Sequence, residues 1–387
     1  MNKKELELYI HIPFCVRKCS YCDFLSAPAT EQTREAYMAA LFAEIGGRAK
    51  DYSDRTVTSI FIGGGTPSLL SGEQIGQLMD RIREQFAMAQ DAEITMEVNP
   101  GTASAEKLRN FYTAGINRLS IGMQSAQAEE LKNLGRIHDF EGFCQVYREA
   151  VEAGFTNINV DIMSGLPGQT LASYRDTLEK VLHLEPMPQH IPAYSLIVEE
   201  GTPFAAMAER GELPLPEEET ERAMYEETIE VLAKYGFHRY EISNYARDGY
   251  ECRHNVGYWI RRDYLGFGIG AASLIDNVRF QNEKSLGAYL AHPLESREEE
   301  QTLTVQDRME ETMFLGLRLT RGVSCVDFAE QYGRTVEEVY GEVIARNVAD
   351  GLLTVTERKE NQKKDRFLAL TKRGLDLSNY VMAQFLF

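Results

Sequence analysis

Three cysteines near the N-terminus are the residues whose types and spacing most clearly suit chemistry. They are Cys15, Cys19 and Cys22, in a Cys-x3-Cys-x2-Cys arrangement. Thiolates are soft ligands, and three on one short loop can converge on a single soft-metal centre. A four-iron cluster held by three thiolates keeps one iron open, and an open iron implies chemistry rather than electron storage alone. The alternatives are a zinc site, which would need a fourth Cys or His, and three unrelated core cysteines.

A run of glycines, Gly63-Gly64-Gly65-Thr66-Pro67, is a second candidate site because it follows a predicted strand. Glycine lets the backbone approach a ligand closely and leaves N–H groups free to donate hydrogen bonds. The run therefore suits the polar end of a small molecule. A bare turn without a ligand is the alternative.

Polar residues also lie at or near the ends of later predicted strands. Glu97 closes the third strand, Gln124 closes the fourth, and Asp161 lies in the fifth. In a parallel barrel these strand ends form one rim, where active sites are built. Carboxylates there could accept charge-assisted hydrogen bonds from ligand hydroxyl groups, and Arg136 could bind a carboxylate through two donors. Helix caps and solvated strand ends are the alternative interpretation.

Six short β-rich runs alternate with helical patterns. The strands and helices that they predict would position the cysteines, the glycine run and the polar strand-end residues. The runs start roughly 25 to 50 residues apart, as βα units require. The predicted strands are Leu8–Phe14, Ser59–Ile62, Ile94–Val98, Arg118–Met123, Asn157–Met163 and His190–Val198, and the helices between them are Thr33–Arg48, Gly72–Phe86, Ala105–Ala114, Phe140–Ala153 and Leu171–Leu184. We predict an α/β fold, a partial parallel (β/α)6 barrel. A flat, doubly wound sheet is the competing architecture.

The last part of the chain has a different pattern. Helices are predicted at Arg308–Leu319 and Val336–Asp350, and strands at Leu352–Thr356 and Phe367–Thr371. Helices followed by a hairpin indicate a small winged-helix-like α+β domain. The apolar ending, Tyr380–Phe387, is expected to pack on this domain, and docking on a partner or membrane surface is the alternative.

These patterns divide the chain into three parts. Residues 1–235 are expected to form the barrel, residues 236–300 a connecting segment, and residues 301–387 the C-terminal domain. The net charge is −18, and residues 300–387 carry 12 Lys or Arg against 14 Asp or Glu, so −16 of the total lies on residues 1–299. Because affinity for a phosphate backbone needs clustered positive charge, we expect no nucleic-acid partner.

Cysteine use indicates the compartment. The chain has 6 cysteines in 387 residues, and half of them lie within the Cys15–Cys22 segment. A secreted disulfide framework would spread them more evenly, so we expect a reducing cytoplasm. The sequence contains no apolar run long enough to span a membrane.

The cysteine triad and its surroundings resemble the radical S-adenosylmethionine (SAM) family. Tyr9–Phe14 leads directly into the first cysteine, and Tyr21 lies between the second and the third. The resemblance implies a radical SAM partial barrel with a [4Fe-4S] cluster on the three cysteines, whose open iron chelates SAM. It also implies that reduction of the cluster cleaves SAM to methionine and a 5′-deoxyadenosyl radical. The SAM-binding residues that it implies are Tyr9, Tyr21, Gly64, Gly65, Thr66, Glu97, Gln124, Arg136 and Asp161.

Within that family the chain is similar to the oxygen-independent coproporphyrinogen III oxidases, from Tyr9 to about Gly270. It departs from them at one informative position. The enzymes read Cys-x3-Cys-x2-Cys-x-Cys, and Phe24 stands here in place of the fourth cysteine. The enzymes also carry a long N-terminal extension, whereas the first predicted strand here starts near Leu8. Both departures count against decarboxylase activity.

A last motif is similar to the His-Asn-x-x-Tyr-Trp signature of the haem chaperone branch of this family. The segment His254–Trp259 contains it, together with the only tryptophan of the chain. Haem needs an axial base and flat apolar surface, which His, Tyr and Trp supply. His254 is therefore the candidate haem ligand, with Cys252 as an alternative thiolate. A core or surface histidine without a ligand is the other interpretation.

The leading hypothesis is a cytoplasmic haem chaperone that binds a [4Fe-4S] cluster, SAM and haem. It would deliver haem to acceptor haemoproteins, among which membrane respiratory enzymes are candidates, and a position peripheral to the membrane is compatible with this. One alternative is an oxygen-independent coproporphyrinogen III dehydrogenase, which forms protoporphyrinogen IX by two oxidative decarboxylations. A zinc-stabilised binding module is the non-enzymatic alternative.

Overall fold

The computed structural model describes residues 4–295, 297–360 and 363–386. Six strands pair in sequence order, and every neighbouring pair among them is parallel. They are β1 (Lys4–Ile12), β2 (Arg55–Gly64), β3 (Ala87–Val98), β4 (Arg118–Gln124), β5 (Ile158–Ser164) and β6 (His190–Ser195). Among the described residues the two edges of this sheet do not pair with each other. The predicted partial parallel barrel is confirmed, and it is open.

Helices connect the strands and cover the outer face of the sheet. They are α1 (Glu31–Arg48), α2 (Gly72–Gln85), α3 (Ala105–Thr113), α4 (Ala128–Leu134), α5 (Phe140–Glu152) and α6 (Leu171–Leu182). Side-chain caps mark their beginnings, because the first N–H groups of a helix need acceptors. Thr30 caps α1, and Ser71 and Thr170 form capping boxes at α2 and α6. No helix in the described part of the chain combines the length and apolarity that crossing a bilayer requires.

Residues 236–300 add strands to both edges of the same sheet. β7 (His238–Arg239) and β8 (Asn244–Ala246) extend it beyond β6. The strands on the other edge, beside β1, are β9 (Tyr264–Phe267), β10 (Ala272–Ile275), β11 (Val278–Asn282) and β12 (Arg297–Thr302).

The helices after β6 are α7 (Pro203–Glu209), α8 (Glu218–Lys234), α9 (Arg253–Trp259) and α10 (Leu286–Ala291). The prediction that residues 1–235, 236–300 and 301–387 form three separate parts of the molecule stays a prediction.

The C-terminal part contains a three-stranded antiparallel sheet with helices around it. Its elements are α11 (Val305–Gly316), β13 (Val323–Ser324), α12 (Cys325–Tyr332), α13 (Val336–Ala349), β14 (Leu353–Glu360), β15 (Lys363–Leu370), α14 (Lys372–Asp376) and α15 (Ser378–Ala383). The predicted winged-helix-like arrangement is confirmed. Val381 and Phe385 are buried in the core of this part, as expected for the C-terminal ending. Phe387 lies outside the described residues.

The interior of the open barrel is polar, whereas its outer face is apolar. Side chains alternate along a strand, so on β1 Leu8 and Ile10 pack into the core beneath the helices while Tyr9 faces the interior. Deep inside, polar side chains such as Arg118 and His190 are fully buried. A polar interior can receive a polar ligand, and the helix-covered face supplies the hydrophobic stabilisation.

Candidate functional site

The cysteines lie on the loop that follows β1. This loop is closed by backbone hydrogen bonds, from the Cys15 N–H to the Ala27 carbonyl at 3.2 Å and from the Ala27 N–H to the Pro13 carbonyl at 3.0 Å. Cys15, Cys19 and Cys22 are unpaired thiols that line one cavity of about 150 Å³. Burial raises the pKa of the Cys15 and Cys22 thiols above its ordinary value, and the positive charge of nearby Lys18 opposes this effect.

The donor set of this loop fits an iron–sulfur cluster. Three thiols face one cavity, and thiolates are the ligands that such clusters use, each on its own iron. Within the described ranges, no three His, Cys, Asp or Glu side chains are arranged around a single metal ion. Cys15, Cys19 and Cys22 are the residues that would hold such a cluster.

The glycine segment forms the opposite wall of the cavity. The Gly65 N–H donates to the Ile12 carbonyl at 2.8 Å, which holds this segment against the end of β1. A Cβ atom on Gly65 would lie 2.6 Å from the Phe14 carbonyl oxygen, and Gly64 has a φ of +114° that disfavours other residues. Only glycines fit here, and they leave room for a ligand between this backbone and the cysteine loop.

Two partly buried carboxyl groups complete the rim. Glu97 accepts a hydrogen bond from the Gly64 N–H at 3.0 Å. Burial, together with the negative charge of Asp161, raises the pKa of Glu97 to about 8. Burial also raises the pKa of Asp161, although Asn159 Nδ2 donates to it at 2.7 Å and Ser120 Oγ at 3.3 Å. These carboxyl oxygens face the cavity and can bind hydroxyl groups.

Arg136 brings a positive charge to the same cavity. Its Nη2 donates to the Gly122 carbonyl at 2.6 Å, and its Nη1 lies 3.9 Å from Cys19 Sγ. Among the described residues, its buried Nε has no hydrogen-bond partner. Because a buried guanidinium normally uses its donors, Arg136 is suited to an anionic ligand such as a carboxylate.

The structure brings most of the predicted cofactor residues into this one cavity. Those that line it are Cys15, Cys19, Tyr21, Cys22, Gly64, Gly65, Thr66, Glu97, Gln124, Arg136 and Asp161. Tyr9 is the exception, because it lines the adjoining cavity and donates or accepts a hydrogen bond with His11 Nδ1 at 3.0 Å. The roles of these residues in holding a cluster and SAM stay predictions.

The adjoining cavity is larger and more aromatic. It has a volume of about 360 Å³ and shares Gly64 and Glu97 with the cysteine cavity. Phe24 also lines both, and the remaining wall of this aromatic cavity includes Tyr9, Leu25, Tyr258 and Tyr264. A third cavity of about 310 Å³ continues into the barrel interior. Phe24, which is 59% exposed, lines all three cavities. The phenylalanine that stands in place of a fourth cysteine is therefore at their junction.

His254 lies deeper than the sequence suggested. Its side chain is 1% exposed and stacks on Phe61 at 5.3 Å between ring centroids. Its Nδ1 shares a hydrogen bond with Ser59 Oγ at 2.9 Å, and its Nε2 with the Tyr258 hydroxyl at 3.1 Å. Burial, aided by the positive charges of Arg118 and Arg262, lowers the pKa of His254 to about 3. The imidazole is neutral and both its nitrogens are occupied.

Trp259 and Cys252 do not share the surroundings of His254. Trp259 lies on another side of α9, where Arg318 stacks over its ring at 4.3 Å. Its buried Nε1 has no hydrogen-bond partner within the part of the chain that the structure describes. Trp259 lines a cleft against the C-terminal part rather than the aromatic cavity. Cys252 is fully buried, and burial raises the pKa of its thiol to about 12. The expectation that His, Tyr and Trp form one surface holds only for His254 and Tyr258.

Two kinds of site residue were missed from the sequence. Asn159 and Ser120 orient Asp161, and Asn159 lies two positions before Asp161 on the same face of β5, so strand periodicity could have indicated it. Tyr264 packs edge-on against Tyr258 at 4.6 Å between centroids. No sequence pattern marks that contact, because it depends on how β9 pairs with β1.

Comparisons with known proteins agree with this geometry. The radical SAM superfamily matches residues 9–181, and the HemN C-terminal domain matches residues 303–377. The chain is 38% identical to the heme chaperone HemW of Bacillus subtilis (strain 168), over 98% of each chain. It is 36% identical to the heme chaperone HemW of Lactococcus lactis subsp. lactis (strain IL1403), over 100% of this chain and 98% of the relative.

A solved structure with the same fold is the coproporphyrinogen III oxidase (HemN) of Escherichia coli, a radical SAM enzyme. The two agree with a TM-score of 0.84 at 27% identity, over 99% of this chain and 90% of the other. The fold, the C-terminal domain and the full-length similarity therefore point to one group. The chain belongs to the radical SAM superfamily and, within the coproporphyrinogen III oxidase family, to the HemW branch.

Proposed function

We propose that this protein is a haem chaperone that binds haem in the aromatic cavity and passes it to acceptor haemoproteins. Phe24 carries the proposal, because an exposed apolar side chain occupies the position of a fourth cysteine and lines the cavity that adjoins the cysteine loop. The relatives similar over the whole chain are named heme chaperones, which supports the same function.

The cofactors follow from the residues around the cysteine loop. Cys15, Cys19 and Cys22 would hold a [4Fe-4S] cluster, which, when bound and reduced, supplies an electron for cleavage of SAM. Gly64 and Gly65 would receive the polar end of SAM through the backbone, and Arg136 would bind its carboxylate. The carboxyl groups of Glu97 and Asp161 would bind its hydroxyl groups.

Haem titration followed by the Soret band tests this function. We expect the wild-type protein to bind haem saturably and His254→Ala to bind it at least about tenfold more weakly, which corresponds to about 1.4 kcal/mol. The matched control is His292→Ala, because the His292 side chain is 69% exposed and is not among the residues that line the three cavities. Equal affinity in all three proteins would show that His254 is not essential for haem binding.

The alternative is oxygen-independent coproporphyrinogen III dehydrogenase activity, which the structural similarity to HemN favours. Anaerobic turnover with reductant, SAM and coproporphyrinogen III distinguishes the two functions. We expect no protoporphyrinogen IX, because Phe24 replaces the cysteine of the enzymes. Formation of protoporphyrinogen over many turnovers would make the alternative the correct function.

The proposal also covers partners and location. A cytoplasmic chaperone would meet its acceptors either in solution or at the membrane surface, where respiratory haem enzymes lie. Because the net charge of the chain is −18, a stable electrostatic attachment to anionic lipid is not expected. Contact with the membrane would then be made through the acceptor.

A further inference from the structure

We infer that Arg118 is an anion-binding residue and that the third cavity, inside the barrel, receives a carboxylate on a short aliphatic stem. Arg118 lines this cavity and neither the cysteine cavity nor the aromatic cavity. The inference goes beyond the proposed function, because it assigns a further ligand site and does not require haem.

The position of Arg118 on β4 places it deep in the third cavity. It is the first residue of β4 and pairs with Thr95 of β3. Ser120 lies two residues further along the same face of the strand and lines both the third cavity and the cysteine cavity. Arg118 therefore lies about 7 Å further from the cysteine cavity than Ser120 does, measured along the strand.

The guanidinium of Arg118 has more donors than partners. Its side chain is 2% exposed, and its buried Nε has no hydrogen-bond partner among the described residues. Within the same residues it forms one hydrogen bond, from Nη1 to Thr95 Oγ1 at 3.5 Å, and no salt bridge. A buried charge without a paired anion is costly, and buried donors normally have acceptors. An anionic ligand in the cavity would satisfy both requirements.

The polar neighbours of Arg118 are engaged with one another. Asp161 accepts a hydrogen bond from Asn159 Nδ2 at 2.7 Å, and Asn159 Oδ1 shares one with His190 Nδ1. The other nitrogen of His190 lies 2.8 Å from the Tyr240 hydroxyl. Burial, aided by the positive charge of Arg118, lowers the pKa of His190, so its imidazole is neutral. Among the described residues that line this cavity, Arg118 therefore supplies the positive charge.

A second buried polar group in the same cavity is also unused. Asn244 is 3% exposed and lines the third cavity, and its Oδ1 has no hydrogen-bond partner within the described ranges. An amide oxygen accepts hydrogen bonds, so it can receive an N–H or O–H group. Two unused polar groups of opposite kind, a donor and an acceptor, indicate a cavity built for a polar ligand.

The chemistry of the walls favours a carboxylate. A carboxylate matches the planar fork of a guanidinium and can accept two of its hydrogen bonds. Phe61, Met163 and Pro192 add apolar surface that suits an aliphatic stem. A phosphate group carries nearly two negative charges, and the carboxyl group of Asp161 in the same cavity disfavours the greater charge. The volume of about 310 Å³ is at the lower end of the range for small-molecule sites.

The first test compares an acid with its amide on the full-length wild-type protein. Ligand-observed NMR titrations measure the affinities for butyrate and for butyramide, which has nearly the same shape and no charge. We expect butyrate to bind at least about tenfold more tightly than butyramide. Equal affinity for the two compounds, or no binding of butyrate, would overturn the inference without the use of any variant.

Variants then locate the carboxylate. Arg118→Gln should remove the preference for butyrate over butyramide, and Arg118→Lys, which keeps the positive charge, should bind butyrate about tenfold more weakly than wild type. Arg136→Gln is the comparison, because Arg136 brings a positive charge to the cysteine cavity; it should keep the preference. Loss of the preference in Arg136→Gln but not in Arg118→Gln would contradict the inference. Circular dichroism checks folding, and Arg118→Lys decides if Arg118→Gln does not fold.

The carboxylate can belong to a free acid or to a propionate of a tetrapyrrole, and a comparison of haem with haem dimethyl ester distinguishes these sources. Arg118→Gln should weaken binding of haem but not of the ester if the cavity takes a propionate. It should weaken binding of butyrate alone if the cavity takes a free acid. Unchanged binding of both haem and butyrate would overturn the inference. A wild type that binds butyrate but not haem would overturn the proposed function and leave the inference standing.

Discussion

Glu97 shows how the polar interior of the barrel sets the properties of a single residue. Its carboxyl group lies at the rim of the cysteine cavity and accepts the Gly64 N–H. Burial next to Asp161 raises its pKa to about 8, so the free protein holds it largely protonated at neutral pH. A protonated carboxyl can both donate and accept hydrogen bonds, which suits a pair of ligand hydroxyl groups.

We expect Glu97→Gln to increase the free energy of unfolding at alkaline pH by about 2 kcal/mol, a value reduced for partial exposure. The folded pKa of Glu97 exceeds its unfolded value, so wild-type stability falls as pH rises from about 4.5 to about 8. Glutamine does not ionise, so the substitution removes the loss of stability that ionisation of Glu97 causes as the pH rises. Denaturant unfolding of the cofactor-free protein across this range measures it.

The control for this prediction is Glu106→Gln, because Glu106 is exposed on α3. Its unfolding free energy should follow that of the wild type at each pH. The account of Glu97 would be wrong if Glu97→Gln and wild type differed by a constant amount over the whole range.

Single residues also show what could be read from the sequence. The spacing of Cys15, Cys19 and Cys22 and the strand-end positions of Glu97 and Asp161 follow from local patterns. The pairing of His254 with Tyr258 is local as well, since residues four apart share a helix face. Which of the two faces a cavity depends on how α9 packs against β2, and no local pattern contains that information.

At the level of secondary-structure elements, the turn after β2 is held against the end of β1 by the hydrogen bond from the Gly65 N–H to the Ile12 carbonyl. Gly65 lies so close to the end of β1 that an added Cβ would meet both the nitrogen and the oxygen of Phe14, at 2.9 and 2.6 Å. These are backbone atoms and cannot move aside as a flexible side chain would. The distance between the glycine segment and the cysteine loop is therefore fixed by the absence of a side chain.

We expect Gly65→Ala to lower the free energy of unfolding by about 1–3 kcal/mol, because the new methyl group forces β1 and β2 apart. It should also weaken SAM binding to the reconstituted protein, measured by calorimetry. The control is Gly76→Ala, since the position lies in α2 with open space around it. That variant should gain up to about 1 kcal/mol. Equal stability of Gly65→Ala and wild type would contradict the account.

Among the secondary-structure elements, the six parallel strands could be predicted from the sequence. The first residues of several strands, and the short strands at the edges of the sheet, could not. β1, β2 and β3 begin at Lys4, Arg55 and Ala87, earlier than predicted, because polar residues at their starts face the interior or solvent and weaken the β signal. The short strands β7 to β12 carry little pattern of their own. They form because they pair with the edges that the long strands create.

A buried ionic contact joins the C-terminal part of the molecule to the part that contains the large sheet. Glu311 on α11 is bound by Arg261 Nε at 2.8 Å and by Arg279 Nη1 at 2.6 Å, both from the segment that extends the large sheet. The side chains of Glu311 and Arg261 are 8% and 4% exposed. Removing one member of such a group leaves uncompensated buried charge.

We expect Glu311→Ala to lower the free energy of unfolding by about 3 kcal/mol. The substitution should weaken the contact between the C-terminal part and the large sheet. The thermal unfolding transition should therefore broaden or separate into two transitions. Differential scanning calorimetry measures both effects. The control is Glu342→Ala, at an exposed position on α13, which should match the wild type. A single transition with unchanged midpoint in Glu311→Ala would show that this contact does not couple the two parts.

For the molecule as a whole, the central claim is that it delivers haem rather than oxidising a porphyrinogen. The most direct test follows transfer of haem from the loaded protein by stopped-flow absorbance. One acceptor is the apo-form of a respiratory haem enzyme, and the other is apomyoglobin, which captures only haem that has dissociated. The account predicts that transfer to the respiratory enzyme is faster than to apomyoglobin and that its rate rises with acceptor concentration. Equal rates for both acceptors, independent of their concentration, would contradict it.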